Sequence, residues 1–170
     1  MNILNQDFFD KPVLEVAPKL LGKLLVRKIE NQTISLMITE VEAYDGPLDL
    51  ASHGRFGKTK RNEVMFGPAG YFYVYLIYGM YQMLNIVTGP KDYPAAILIR
   101  GVKNIKGPGR LTKQLKIDKS FNGLIANKTS NLWFEDNEIQ ISQNEIIATP
   151  RIGVEYAKEW AQKEYRFLLK

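Results

Sequence analysis

The chain has no cysteine among its 170 residues. That excludes disulfides, thiolate nucleophiles, Cys-ligated zinc and iron–sulfur clusters together. Histidine is almost as scarce: His53 stands alone, so neither a His-rich metal site nor a two-histidine acid–base scheme can be assembled. No metal or cofactor is expected. The patterns G-x-S-x-G, G-x-x-x-x-G-K-[ST] and G-x-G-x-x-G are missing, which argues against serine hydrolases and nucleotide-loop proteins. No apolar run approaches the ~18 residues that cross a bilayer. The start, MNILNQDFF, lacks the basic and apolar regions of a secretory signal. Neither an internal repeat nor a low-complexity linker divides the chain. The expectation is one intracellular, cytoplasmic domain over residues 1–170, monomeric and away from membranes.

What is present is ordinary globular composition, 45% hydrophobic and 24% charged, on a chain long enough to bury roughly 70% of its unfolded surface. Twenty-three basic against 18 acidic residues give a net charge of +5, which favours an anionic partner. The surplus is clustered. Arg100, Lys103, Lys106, Arg110, Lys113, Lys116 and Lys119 face only Asp118 in their stretch, and Arg55, Lys58, Lys60 and Arg61 form a second group. These are either solvated basic faces or a footprint for phosphates, whose neutralisation makes affinity salt-sensitive. Gly107-Pro108-Gly109 supports the phosphate reading, because amides at a helix start are free and glycines permit close approach.

Residues 12–22 space their apolar side chains for one helix face, ended by Gly22. Lys23–Ile29 and Thr33–Ala43 read as strands of a hairpin turning at Glu30-Asn31-Gln32. The Gly-rich, basic stretch 46–70 reads as a long loop with short helical turns. Tyr71–Val87 predicts two strands meeting at Gly79, and Ala95–Val102 another strand. A helix is expected over RLTKQLKI after Gly109, with further short strands at 132–134, 139–141, 146–148 and 165–169. Strands dominate without regular crossover helices. The class is therefore α+β around a mostly antiparallel sheet, with peripheral short helices and a protruding hairpin.

Two constellations can carry chemistry. Glu40, Glu42 and Tyr44 alternate along one strand and so share a face, either as a solvated edge or as a functional acidic patch. Arg100, amid apolar neighbours, suits a carboxylate partner and would keep it ionised. Five of the nine tyrosines lie between residues 71 and 81. Tyr71, Tyr73 and Tyr75 share a face, as cross-strand packing or as a surface for bases or sugars. Tyr78 sits at the hairpin tip, where a projecting aromatic can part stacked base pairs.

The runs TEVEAYDGPLDLASH and KTKRNEVMFGPAGYFYVYLIYGMYQMLNI, with GPGRLTKQLKID and TPRIGVEYAKEW, resemble the alkyladenine (3-methyladenine) DNA glycosylase family. The likeness extends from about Leu20 to Phe167. It implies a monofunctional glycosylase of base excision repair that everts a damaged purine from double-stranded DNA and hydrolyses its N-glycosidic bond. It implies Glu42 as general base, with Arg100 and the Val154 carbonyl holding the attacking water. Tyr44, His53 and Tyr75 would stack on the base, and Asn85 would screen out guanine through its 2-amino group. Tyr78 would fill the gap left in the duplex. On the phosphate reading of the basic stretch, Gly107, Gly109, Arg110 and Lys113 are the candidate DNA contacts. The absence of the N-terminal extension of eukaryotic members points to a bacterial source. Two other readings use the same residues: a non-catalytic nucleic-acid-binding module, and an oligosaccharide-acting enzyme with Glu40 and Glu42, ~7 Å apart, as a carboxylate pair.

Overall fold

Period-two alternation over long stretches lets one sheet bury one face and leave the other for the site. The computed structural model describes residues 2–170. Its strands are β1 (Asn2–Ile3), β2 (Leu24–Ile29), β3 (Gln32–Asp45), β4 (Phe72–Ile77), β5 (Tyr81–Thr88), β6 (Ala95–Val102), β7 (Ile105–Lys106), β8 (Leu132–Asp136), β9 (Ile146–Thr149) and β10 (Arg166–Leu169). They form a sheet in the order β1-β8-β2-β3-β6-β5-β4, with β10 joining β3 to β9 and β7 beside β6. Every pairing is antiparallel. The helices are short: α1 (Gln6–Phe9), α2 (Val13–Leu20) and α3 (Pro108–Gln114). The expected α+β class with a mostly antiparallel sheet is what the chain adopts.

β3 organises the molecule. Its first half pairs with β2, and its second half lies between β6 and β10. The register breaks twice against β6, once between Ile38 and Glu40 and once between Glu40 and Val41. Thr39 is the unpaired residue on β3, and Arg100 the unpaired residue on β6. Such bulges bend a strand and re-aim a side chain, and the second turns Arg100 toward the acidic face of β3. Val41, Ala43, Ile97, Ile99, Leu84, Ile86, Phe72 and Val74 point the other way, into a core with Val13, Val16, Ala17 and Leu20 of α2.

Three local expectations need correction. Ile139–Ile141 forms no strand; the segment is irregular and Ile139 is exposed, since no partner strand lies beside it. The helix after Gly107 begins at Pro108 and stops at Gln114, because Lys116 takes φ 49°; Ile117 is nonetheless buried. Tyr71 precedes β4; it makes an isolated bridge to Ile125, and its carbonyl accepts the Val87 N–H at 2.9 Å. The 3₁₀ turns of Glu155–Gln162, broken at Lys158, had no counterpart in the sequence reading. Among the described residues, no helix is long and apolar enough to cross a membrane.

Candidate active site

A cleft of about 350 Å³ opens on the face of the sheet opposite α2. Strand register explains its floor. Glu42 on β3 pairs with Leu98 on β6, Leu98 with Asn85 on β5, and Asn85 with Tyr73 on β4. Directly opposite residues share a face, so four strands deliver a row of Glu42, Leu98, Asn85 and Tyr73 beneath the opening. In the next row Tyr44 stands opposite Ala96, whose small side chain leaves space above it. All six residues line the cleft, as do His53, Tyr75, Arg100 and Val154.

Glu42 is fully buried and well partnered. Its Oε1 accepts the Ile152 N–H at 2.8 Å and its Oε2 accepts the Tyr44 hydroxyl at 2.9 Å. Arg100 Nη1 lies 3.4 Å from Oε1. Burial pushes the Glu42 carboxyl above the ordinary carboxylate range, while Arg100, the Ile152 amide and the Tyr44 hydroxyl draw it part of the way back. Glu40 lies differently. Its Oε1 accepts both Arg100 Nε (3.0 Å) and Arg166 Nη1 (2.9 Å), so it braces the arginines rather than facing the cleft as half of a carboxylate pair. Gly101 stands opposite Glu40, where an added Cβ would come within 3.2 Å of the glutamate's Cβ.

The walls are aromatic. Tyr73 and Tyr75 have ring centroids 5.2 Å apart, and the His53 ring meets Tyr75 edge-on at 4.6 Å. His53 Nδ1 lies 2.9 Å from the Tyr73 hydroxyl. Tyr73 itself is buried, so it supports His53 from beneath instead of presenting a free face. Burial, with Arg61 and Arg55 nearby, lowers His53 to about 4, and the imidazole is neutral at physiological pH. The loop carrying it is shaped by Asn62, whose Nδ2 donates to the carbonyls of His53 and Gly57, both at 2.9 Å. Asn85 is also fixed: its Nδ2 donates to the Tyr73 and Met83 carbonyls. The Val154 carbonyl accepts the Ala157 N–H at 2.9 Å, leaving one of its two lone pairs for another donor.

Tyr78 stands at the rim on the β4–β5 turn, 82% exposed. At the start of α3, Pro108 also lines the cleft. Gly109 packs beneath Tyr81, where a Cβ would come within 2.6 Å of the ring, and Gly107 has φ 97° with open space around it. Sequence reading placed Arg61 only in a basic cluster, whereas it lines the cleft with its guanidinium 5.6 Å from the Tyr75 centroid; it missed Tyr156, which also lines the cleft. It also missed the buried pair Asp49–Arg151. Arg151 lies inside TPRIGV, a segment already noted for its resemblance, but nothing local marks Asp49 as its partner. Among the described residues there is no cluster of three or more His, Asp or Glu side chains able to hold a metal.

A single buried carboxylate at the floor of a cationic, aromatic cleft suits an enzyme that cleaves a glycosidic bond by activating water. The comparisons place the chain within such a class. It matches the methylpurine-DNA glycosylase family over residues 7–107 and 103–170. It is 43% identical to a protein of Methanocella arvoryzae over 98% of this chain and 92% of that one. It is 44% identical to a Legionella pneumophila protein over all of this chain and 96% of that one. A third relative, from Anaeromyxobacter, is 40% identical over 98% of this chain and 88% of its own length. All three bear the name "Putative 3-methyladenine DNA glycosylase". The chain belongs to the methylpurine-DNA glycosylase family; it is a DNA-repair glycosylase, a hydrolase acting on DNA.

Proposed function

We propose that this protein excises alkylated purines of the 3-methyladenine type from double-stranded DNA, everting the lesion into the cleft and hydrolysing its N-glycosidic bond. The observation that carries the reading is Glu42, a fully buried carboxylate beneath Tyr44, Tyr75 and His53. An N-alkylated purine is cationic or electron-poor, so electron-rich rings favour it over its neutral parent by roughly 0.5–2 kcal/mol. Damage also weakens stacking and pairing, which lowers the few kcal/mol that extrusion requires.

In the reaction, the bond between C1′ and the base nitrogen breaks, and its electron pair leaves with the base. Water forms the new bond to C1′, and Glu42 takes the water's proton. Positive charge growing on the sugar is stabilised by the same carboxylate. Arg100 and the open lone pair of the Val154 carbonyl hold the water. The cleft lining contains no lysine among the described residues, which favours water over an amine as nucleophile and a monofunctional enzyme. The neutral imidazole, tied through Nδ1 to the Tyr73 hydroxyl at 2.9 Å, turns its other edge toward the base. Asn85, held by two carbonyls, meets the C2 edge and disfavours guanine's amino group. Tyr78 fills the vacated stack, while Gly107, Gly109, Arg110 and Lys113 border the phosphates.

The decisive measurement is single-turnover base release from an oligonucleotide duplex bearing one alkylated adenine. Glu42→Gln keeps one carbonyl oxygen to accept the Ile152 N–H, and its amide nitrogen can donate to the Tyr44 hydroxyl, but it cannot take a proton. It should bind lesion DNA within about threefold of wild type and lose excision by at least about 10²-fold. Near-wild-type excision would remove Glu42 from its role. Equal binding to damaged and undamaged duplex with no base release from the wild type would favour the non-catalytic binding module.

A further inference from the structure

Among the described residues the Asp49–Arg151 pair is the most fully enclosed charge pair, with both side chains at 0% exposure. Asp49 is saturated with donors. Besides two Arg151 nitrogens it accepts the amides of Asp45 and Ala51 at 3.0 and 2.9 Å. Arg151 in turn donates to the Ala43 carbonyl (2.8 Å) and the Trp160 carbonyl (3.3 Å), while its Nε is buried without a partner. Its guanidinium carbon lies 4.8 Å from the Tyr44 centroid and 5.2 Å from that of Tyr165. Pure stability is a poor explanation for such an arrangement, because a buried ion pair is often no better than apolar residues of equal volume.

Its neighbours supply another explanation. The residue following Arg151 gives the N–H that Glu42 Oε1 accepts. The residue on the other side of Ala43 from Glu42 is Tyr44, whose hydroxyl donates to Oε2. Arg151 thus clamps the Ala43 backbone, the underside of the Tyr44 ring and its own segment to one buried anchor. Resting on the assignment of Glu42 as base, we propose that Asp49–Arg151 is a positioning pair that aims the Ile152 amide and the Tyr44 hydroxyl at the Glu42 carboxylate. Loosening the clamp lengthens both hydrogen bonds, which favour the ionised carboxylate; the proton is then held to higher pH.

The charged and titratable groups facing Glu42 are Tyr44 on its own strand, Arg100 on β6, Tyr75 on β4 and Arg151. Arg166 on β10 is its register partner and binds Glu40. Arg151→Lys keeps the charge among these groups and removes only the fork, so it separates aim from field.

The test is the pH dependence of single-turnover base release for wild type, Arg151→Lys and Glu42→Gln, with thermal midpoints and lesion-DNA affinity measured alongside. Arg151→Lys should slow release about tenfold and move the acid limb up by about one pH unit, with Kd within about threefold. A lowered midpoint with unchanged rate and acid limb would make the pair purely structural and overturn the proposal. In the wild type, the Ile152 amide resonance should titrate with the same midpoint as the acid limb. A resonance indifferent to pH would overturn the proposal even if Arg151→Lys failed to fold. An active Glu42→Gln would instead show that the base assignment has failed, and the proposal with it.

Discussion

Burial, reinforced by Arg61 and Arg55, holds His53 at about 4 against an ordinary value of 6.5. Between those two pH values the unfolded chain binds a proton that the folded chain refuses, so this histidine makes stability fall as pH falls. At ~1.4 kcal/mol per unit, the loss from pH 6.5 to 4 amounts to about 2–3 kcal/mol. Urea unfolding across that window should show the decline, and His53→Gln should remove that share of it. An identical slope in both proteins would mean that the imidazole is not held neutral. Other single residues were readable in advance because their signals are local. Glu42 and Tyr44 share a face by simple alternation, and Arg100 is conspicuous as a charge within an apolar strand. Asp49 and Arg151 were not readable, since 102 positions separate them and neither sits in a periodic pattern.

Tyr78 and Gly79 take φ values of 53° and 68° at the tip of the β4–β5 hairpin. A left-handed conformation costs a bulky residue roughly 1–2 kcal/mol, yet Tyr78 recovers little through packing at 82% exposure. Such local strain marks a side chain kept for what it does rather than for what it stabilises. Tyr78→Asn, which tolerates this backbone better, should leave the thermal midpoint unchanged or raised by a degree or two. It should also cut excision from a fully paired duplex at least about tenfold, with a smaller loss when the lesion is mispaired. Equal losses on both substrates would contradict a wedge. The hairpin itself was legible because long β-rich runs flank a glycine. The strand expected at 139–141 failed because three apolar-spaced residues specify no partner. The turns of Glu155–Gln162 were missed because Gly153 and the break at Lys158 interrupt any helical period.

Across the whole molecule, the ion pairs among the described residues use only Lys19, Lys23, Arg100, Arg151 and Arg166 as cations. The clusters around Arg55–Arg61 and Lys103–Lys119 therefore carry charge that no carboxylate of the chain neutralises. If about four to six of these meet phosphates, log affinity for DNA should fall against log salt with a slope of about −4 to −5. Arg110→Ala and Lys113→Ala should each reduce that slope by about one, whatever the base in the cleft. A flat profile would return these side chains to the role of solvated faces. The global fold was legible as an antiparallel sheet, but its strand order was not, because β3 divides its length among three partners. That division has a kinetic consequence. The Glu42 carboxylate needs β6 beside it and the amide of Ile152 above it, so the chain must leave the ribosome at least through Ile152 before the enzyme can act. Nascent chains truncated before that amide should release no base from DNA, a safeguard against unfinished copies that attack the genome.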